Sequence, residues 1–368
     1  VRDELLGLEP TDNDWVVVGS TPKQMLSMGY KQVGKDFPVF LHPETKEEYA
    51  LARKERSTGP GHTAFNFSYS PNVTLEEDLS RRDITINAIA MDDSGNLIDP
   101  FNGKNDLEKG IVKFIGDPEL RIKEDYLRIL RYFRFYLCYS NYKHEFETSR
   151  LLKKNIVGIS NLSKERLLDE LKKFFKSNIL TKLSKDKFSL ELFEIIFPQF
   201  KNFKLFSNPN SFAKTKIEES DFIFLLSVLI IDKTDNADYF IYKFNISKKD
   251  QKRLKIIDDF YKDKITSKSF LENNLNKIFY YKGKEAVIDI LSFKIFTSRK
   301  IDQNILKIIE QFQSKDLPTM PVGAKFLMEK YQIQEGKSLG AKLRNIEEEW
   351  VDNNFKLSEK QIDKIINS

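Results

Sequence analysis

At 368 residues, with 40% hydrophobic and 31% charged side chains, the chain is long and apolar enough for two or more domains with their own cores. No stretch approaches the roughly 20 apolar residues of a membrane span, and a single cysteine, Cys138, excludes an internal disulfide and fits a cytoplasmic protein. A net charge of +5 is mildly basic, which permits RNA binding without demanding it.

The first informative segment is Leu8-Glu-Pro-Thr-Asp12-Asn-Asp14, which runs into an apolar strand over residues 14–18 and a Gly19-Ser20 turn. Side chains two apart on a strand point to one side, so Asp12 and Asp14 converge. Paired carboxylates suit a hard divalent cation such as Mg²⁺ that also touches substrate phosphates; alone, the same pattern is more often a solvated loop. A helix follows at 21–28, strands at 37–41 and 48–53, and a short strand near 97–98. The Gly-, Ser- and Asn-rich stretch between Lys54 and Thr74 reads as a long mobile loop. The next helix is placed at 76–90, where Asp83 and Asn87 stand at i and i+4 on one face. Arg81 and Arg82 precede them, and a helix-start ion pair accounts for Arg81 equally well.

From about residue 118 the pattern is helical. A helix over 124–139 carries Leu127, Leu130, Phe133 and Leu137 on one stripe, with Asp125, Arg128, Arg131 and Arg134 at spacing three beside it. On that helix Cys138 reads as an inert core thiol. Asp125 with Arg128 presents acceptors beside donors, an edge like that of a base, although an i,i+3 ion pair is the commoner meaning. Residues 164–176 form a second amphipathic helix, 223–231 a buried one, and 177–315 several helices with breaks near 207–211 and 233–238. Of 14 arginines, 11 lie within residues 1–166, whereas the remainder relies on lysine. Arginine's rigid fork suits shaped recognition of phosphate or base edges; a difference in ancestry between the two parts is the competing explanation.

Taken together, Val1-Arg-Asp-Glu-Leu-Leu-Gly7, the Asp12/Asp14 strand, Arg81-Arg82-Asp83-Ile-Thr-Ile-Asn87 and Glu124-Asp125-Tyr-Leu-Arg128-Ile-Leu-Arg131 resemble, in order, the motifs of the class II tRNA nucleotidyltransferase and poly(A) polymerase family. The resemblance is dense over 1–175 and thinner beyond, where Pro321-Val-Gly323, Gly336, Gly340, Trp350 and Asn354-Phe355 are similar to the family's tail. It implies an α+β polymerase β-like head with a small mixed sheet, followed by helical neck, body and tail. The expected bounds are 1–112, 113–180, 181–315 and 316–368. It further implies catalysis by Asp12, Asp14 and Glu48, with Asp12 and Asp14 holding Mg²⁺. Arg2 and Arg82 would bind the triphosphate, and Asp83 and Asn87 the ribose. Asp125 and Arg128 would act as a protein template for CTP and then ATP, with Arg131 and Arg134 completing the nucleotide site.

The expected reaction adds C, C and A to the 3′ end of tRNA. The run Val33-Gly-Lys-Asp36-Phe-Pro-Val-Phe-Leu-His42-Pro43 is similar to the CCA-adding group, leaving a poly(A) polymerase and a non-catalytic RNA-binding protein of the same fold as alternatives. A monomer is expected, with a homodimer left open. The family's Gly-Gly pair would precede Val1, which is expected to reflect a trimmed start. Tyr126 replaces a proline common in the family. The three histidines, His42, His62 and His144, form no His-Asp doublet, so the phosphohydrolase domain of some relatives is not expected, and with one cysteine neither is a zinc site. The parts before and after about residue 115 are similar to different branches, which leaves room for a fusion.

Overall fold

The computed structural model describes residues 1–10, 13–33, 39–57, 65–176, 179–262 and 268–367. They form two compact units, Val1–Ile196 and Phe197–Ser368. The first opens with a one-turn helix α1 (Arg2–Leu5), strand β1 (Asp14–Val17) and helix α2 (Pro22–Ser27). Thr21 and Gln24 close a reciprocal capping box at the start of α2, and Pro22 occupies its first turn. Strands β2 (Lys31–Val33), β3 (Val39–Leu41) and β4 (Glu48–Leu51) complete a sheet of order β1-β4-β3-β2. β1 runs parallel to β4, and the other pairs are antiparallel. Alternation puts Val17, Phe40, Tyr49 and Leu51 against Met25 of α2, which forms the core under this sheet.

Several sequence expectations need correction here. The stretch 54–74 is not one long loop: β5 (Arg53–Ser57) pairs antiparallel with β6 (Phe65–Tyr69), in register from Arg53↔Tyr69 to Ser57↔Phe65. The strand expected at 48–53 therefore ends at Leu51 and a new one starts at Arg53. The strand expected at 37–41 is seen as Val39–Leu41, with residues 37 and 38 outside the described residues. The helix expected at 76–90 is only α3 (Leu75–Ser80), capped by a Thr74–Glu77 box. Its continuation breaks because the β-branched run Ile84-Thr85-Ile86 pairs sideways. Ile84 bridges to Phe114, the Thr85 amide donates to the Lys113 carbonyl, and the Thr85 hydroxyl donates to Asp106 at 2.7 Å. A single 3₁₀ turn, Thr85–Asn87, and the small hairpin β7 (Ala90–Met91)/β8 (Leu97–Ile98) follow.

After α4 (Gly103–Lys109), the helix expected over 124–139 is two helices, α5 (Pro118–Glu124) and α6 (Leu127–Tyr139). Asp125 between them is extended, at φ −151 and ψ 106, and its carboxylate accepts from the Leu127 amide at 3.1 Å. A capping aspartate thus competes with helix continuation. Helices α7 (Phe146–Asn155), α8 (Lys164–Phe174), α9 (Ile179–Leu183) and α10 (Lys187–Ile196) finish the unit. Helix α8 matches its sequence reading, with Ser163 capping the Arg166 amide and Leu167, Leu168, Leu171 and Phe174 buried.

In the second unit all regular structure among the described residues is helical. The apolar helix Phe222–Ile230 is buried on every side from Ile223 onward, as its composition required. One apolar cluster gathers Leu275, Phe279, Leu291 and Phe312, another Leu327, Leu339, Ile346 and Ile362. At roughly 1.5–3 kcal/mol for each buried large apolar side chain, such burial stabilises this unit. The architecture is α+β with a small mixed sheet at the N-terminal end and helices after it. No helix among the described residues is long and apolar enough to cross a membrane.

Candidate active site

The β1–β4 pairing sets the geometry of the site. Asp14 and Glu48 are register partners, as are Val16 and Ala50. Directly paired residues on parallel strands present their side chains to one face, so the two carboxylates stand side by side on an exposed rim. Asp12 lies outside the described residues. Among the described residues no group of three metal-ligating side chains is present. The two carboxylates do supply the hard oxygen donors a divalent ion needs.

Asp14 and Glu48 line a cleft of about 360 Å³ together with Arg82, Asp83, Asp125, Arg128 and Arg131. Seven of the eleven residues expected from the sequence thus meet in one concavity. Arg2, Asn87 and Arg134 do not line it. They join from behind through hydrogen bonds and a shared aromatic ring.

Arg82 is a largely buried guanidinium that lines the cleft. It pairs with Asp78 Oδ2 at 4.0 Å, and among the described residues its buried Nε has no hydrogen-bond partner. Burial and then the Arg81 charge lower its pKa, against the pull of Asp78, Asp14 and Asp83. A guanidinium stays charged under that pressure, so Arg82 presents an anion-seeking group beside the acidic rim. Arg81 takes the plainer role: its Nε donates to the fully buried Asp78 at 2.9 Å, while the Arg53 amide donates to the same oxygen at 3.1 Å. Asp78 was missed in the sequence, although its i,i+3 and i,i+4 spacing to Arg81 and Arg82 was visible.

Asp83 is buried and accepts from Arg131 Nε at 2.6 Å, Asn87 Nδ2 at 3.1 Å and the Ile84 amide at 3.0 Å. Burial opposes its ionisation, but the Arg131 charge and these bonds outweigh it and keep its pKa below the usual carboxylate range. The expected Asp83–Asn87 juxtaposition therefore exists without the helix that was to create it. Arg134 Nε donates to the buried Glu170 at 2.6 Å, tying α6 to α8.

The Asp125–Arg128 edge is built differently from a simple helical pair. Asp125 accepts two bonds from Arg166, at 3.2 and 2.8 Å. Arg128 Nη1 donates to Glu124 at 2.6 Å and to the Arg121 carbonyl at 3.0 Å. Each member thus has its own holder, Arg166 for the acid and Glu124 for the base. Arg121 in turn donates to the Arg81 and Arg82 carbonyls, fastening α5 to the Arg81–Asp83 segment. Nothing local in the sequence signalled that Arg166, 41 residues away, would reach Asp125.

Chemically, the cleft combines two carboxylates and a largely buried guanidinium with a polar corner at Asp83 and a donor–acceptor edge at 125–128. That arrangement accommodates a polyanion with a planar, hydrogen-bonding end.

Residues 1–113 match the family model described as poly A polymerase head domain, and 141–204 match the probable RNA and SrmB-binding site of polymerase A. The Multifunctional CCA protein of Hahella chejuensis (strain KCTC 2396) is 60% identical over 141 residues, covering 38% of this chain and 33% of that protein. The Teredinibacter turnerae (strain ATCC 39867 / T7901) protein of the same name is 51% identical over 175 residues, 46% of this chain and 42% of that protein. The matched stretch therefore spans well under half the length of these curated relatives. Among solved structures, the Bacillus stearothermophilus CCA-adding enzyme in complex with CTP aligns at TM-score 0.69 and 20% identity, covering 100% of this chain and 90% of the other. A CCA-adding enzyme in complex with ATP aligns at TM-score 0.64 and 19% identity, with 100% and 86% covered. At such identities the structural likeness establishes the fold. The head model and the RNA-binding model thus follow one another along the first 204 residues, with the Asp14 strand and the Arg81–Asn87 segment inside the first.

Proposed function

We propose that this protein adds C, C and A to the 3′ end of tRNA from CTP and ATP, without a nucleic acid template and with release of pyrophosphate. The observation that carries the proposal is the registered Asp14–Glu48 pair lining one cleft with Arg82. In this reading Asp12 and Asp14 hold Mg²⁺, with Glu48 beside them, and Asp12, Asp14 and Glu48 are the catalytic carboxylates. A divalent ion held there would lower the pKa of the attacking 3′-hydroxyl and would offset charge on the leaving pyrophosphate. Arg82 grips the triphosphate, assisted by Arg2. Asp83 and Asn87 bind the ribose, and Arg131 and Arg134 complete the nucleotide site. Asp125 and Arg128 read the base edge, each pre-oriented by its own ion-pair partner, so little ordering remains when a nucleotide binds.

The head at 1–112 and neck at 113–180 would then carry the chemistry, while the body at 181–315 and tail at 316–368 grip tRNA. Their lysines suit contacts to phosphate rather than to base edges. A monomer suffices, because all the proposed site residues come from one chain, and the lone Cys138 supports a cytoplasmic setting. Incubating a tRNA that lacks CCA with CTP, ATP and Mg²⁺ tests the proposal. A product that stops at three added nucleotides supports it, long A-tails point to a poly(A) polymerase, and binding without extension points to a non-catalytic RNA-binding protein.

A further inference from the structure

Phe135, in α6, is 4% exposed and touches no cleft surface, yet three guanidiniums surround its ring. The Cζ atoms of Arg134, Arg2 and Arg131 lie 4.1, 5.3 and 5.5 Å from its centroid. All three distances fall within the roughly 6 Å over which an aromatic face attracts a cation. Each guanidinium also has a carboxylate: Asp3 for Arg2, Asp83 for Arg131 and Glu170 for Arg134. The carboxylates fix the positions of the charges, and the ring fixes their orientations without adding further negative charge.

These contacts close on themselves. Arg2 Nη1 donates to Asn87 Oδ1 at 2.5 Å, Asn87 Nδ2 donates to Asp83 Oδ1 at 3.1 Å, and Arg131 Nε donates to Asp83 Oδ2 at 2.6 Å. Arg131 then returns to Phe135, completing a ring from α1 through the 3₁₀ turn to α6. Tyr139, one turn further along α6, holds Arg2 from the other side. Its ring lies 4.7 Å from Arg2 Cζ, and its hydroxyl donates to Asp3 at 2.9 Å. Removing the aromatic face opens the circuit at two points at once.

We infer that Phe135 is a positioning residue for the ribose corner of the nucleotide site, acting through Arg2 and Arg131 on Asn87 and Asp83. The inference rests on the proposed nucleotidyl transfer for its kinetic consequence, but its structural content stands apart from it. Phe135→Leu keeps an apolar side chain of similar bulk and removes the π-face, whereas Phe135→Tyr keeps the face. For CTP, Phe135→Leu is expected to raise KM roughly tenfold, equivalent to about 1.4 kcal/mol, with kcat changed by less than about twofold. Preference for CTP over dCTP should fall about fivefold, and Phe135→Tyr should restore both. A core-filling role alone would lower the thermal midpoint and leave the ribose preference intact.

The arginine Nε–H signals in NMR provide a readout that needs no nucleotide. In Phe135→Leu those of Arg2 and Arg131 should exchange faster with water, and in Phe135→Tyr they should not. Should Phe135→Leu fail to fold, Phe135→Met serves as the second apolar replacement. Unchanged arginine exchange together with unchanged CTP/dCTP preference in a folded variant overturns the inference. Faster arginine exchange in a protein that extends no tRNA upholds the positioning role while refuting the proposed activity.

Discussion

The acidic rim of β1–β4 and the turn between α5 and α6 reach the same cleft by different physics. On the rim, strand periodicity and register alone put Asp14 beside Glu48. Both side chains are exposed. At the turn, Asp125 and Arg128 sit where a helix breaks, and each is held by a residue from elsewhere: Arg166 of α8 and Glu124 of α5. A site on a strand edge is robust in geometry and open to solvent. A site on a turn is only as exact as its supporting ion pairs, which makes it adjustable.

The largest effect expected is on the rim. Asp14→Ala should lower nucleotide addition by roughly a thousand-fold or more while shifting stability by less than about 0.5 kcal/mol, as befits an exposed side chain. Single-turnover extension assays and denaturant titration measure the two quantities. A variant that keeps normal turnover removes the rim from the chemistry.

At the turn, the sharpest test is Gly158→Ala. A Cβ there would lie 2.1 Å from the Tyr126 ring, so the ring and this glycine occupy one space. We expect a destabilisation of about 1–3 kcal/mol, largely relieved in the double variant with Tyr126→Ala. The same contact explains how the Tyr126 ring is accommodated: it lies over a residue with no side chain. If Gly158→Ala melts like the parent, this packing contributes nothing.

Arg166→Met should be milder, with Asp125 freed of its bidentate partner. Incorporation of UTP or GTP in place of CTP is expected to rise about tenfold, because an unheld carboxylate discriminates poorly between base edges. Competition assays with mixed triphosphates measure this, and unaltered fidelity would mean that Arg166 is not what orients Asp125.

The smallest effect concerns the support beneath α6. His144 stacks on Tyr136 at 3.5 Å and pairs with Asp186 at 3.0 Å. Burial pushes the Asp186 carboxyl up, but bonds from His144 and Ser189 outweigh it and hold its pKa at about 2 against the ordinary 3.8. Because the folded value is the lower one, its contribution is complete above about pH 4 and disappears as pH falls toward 2. Partial exposure limits it to about 1–2 kcal/mol. Asp186→Asn should flatten the acid limb of the stability profile in that window, and an unchanged limb would show that this pair is not its source.

How much of this was legible in the sequence differs from motif to motif. Glu48 was expected only from the family resemblance of its segment, whereas strand β1 and its carboxylate at Asp14 were readable because strand periodicity is local. The amphipathic α8 and the buried helix Phe222–Ile230 were readable for the same reason. The helix placed over 76–90 and the loop placed over 54–74 failed because partners distant in sequence decided them. Lys113 and Phe114 drew 84–86 out of a helix, and β6 recruited β5 into a hairpin.

The sequence alone determined the fold class, the order of the motifs and which residue types face one another along a strand or a helix stripe. Those properties depend on backbone period and side-chain polarity within a few residues. Tertiary structure alone decided that Arg166 holds Asp125, that Asp78 anchors Arg81, that Tyr126 lies over Gly158 and that one phenylalanine ring gathers three guanidiniums. Long charged and aromatic side chains are directed by whichever partners packing brings within reach, and no local pattern encodes that choice.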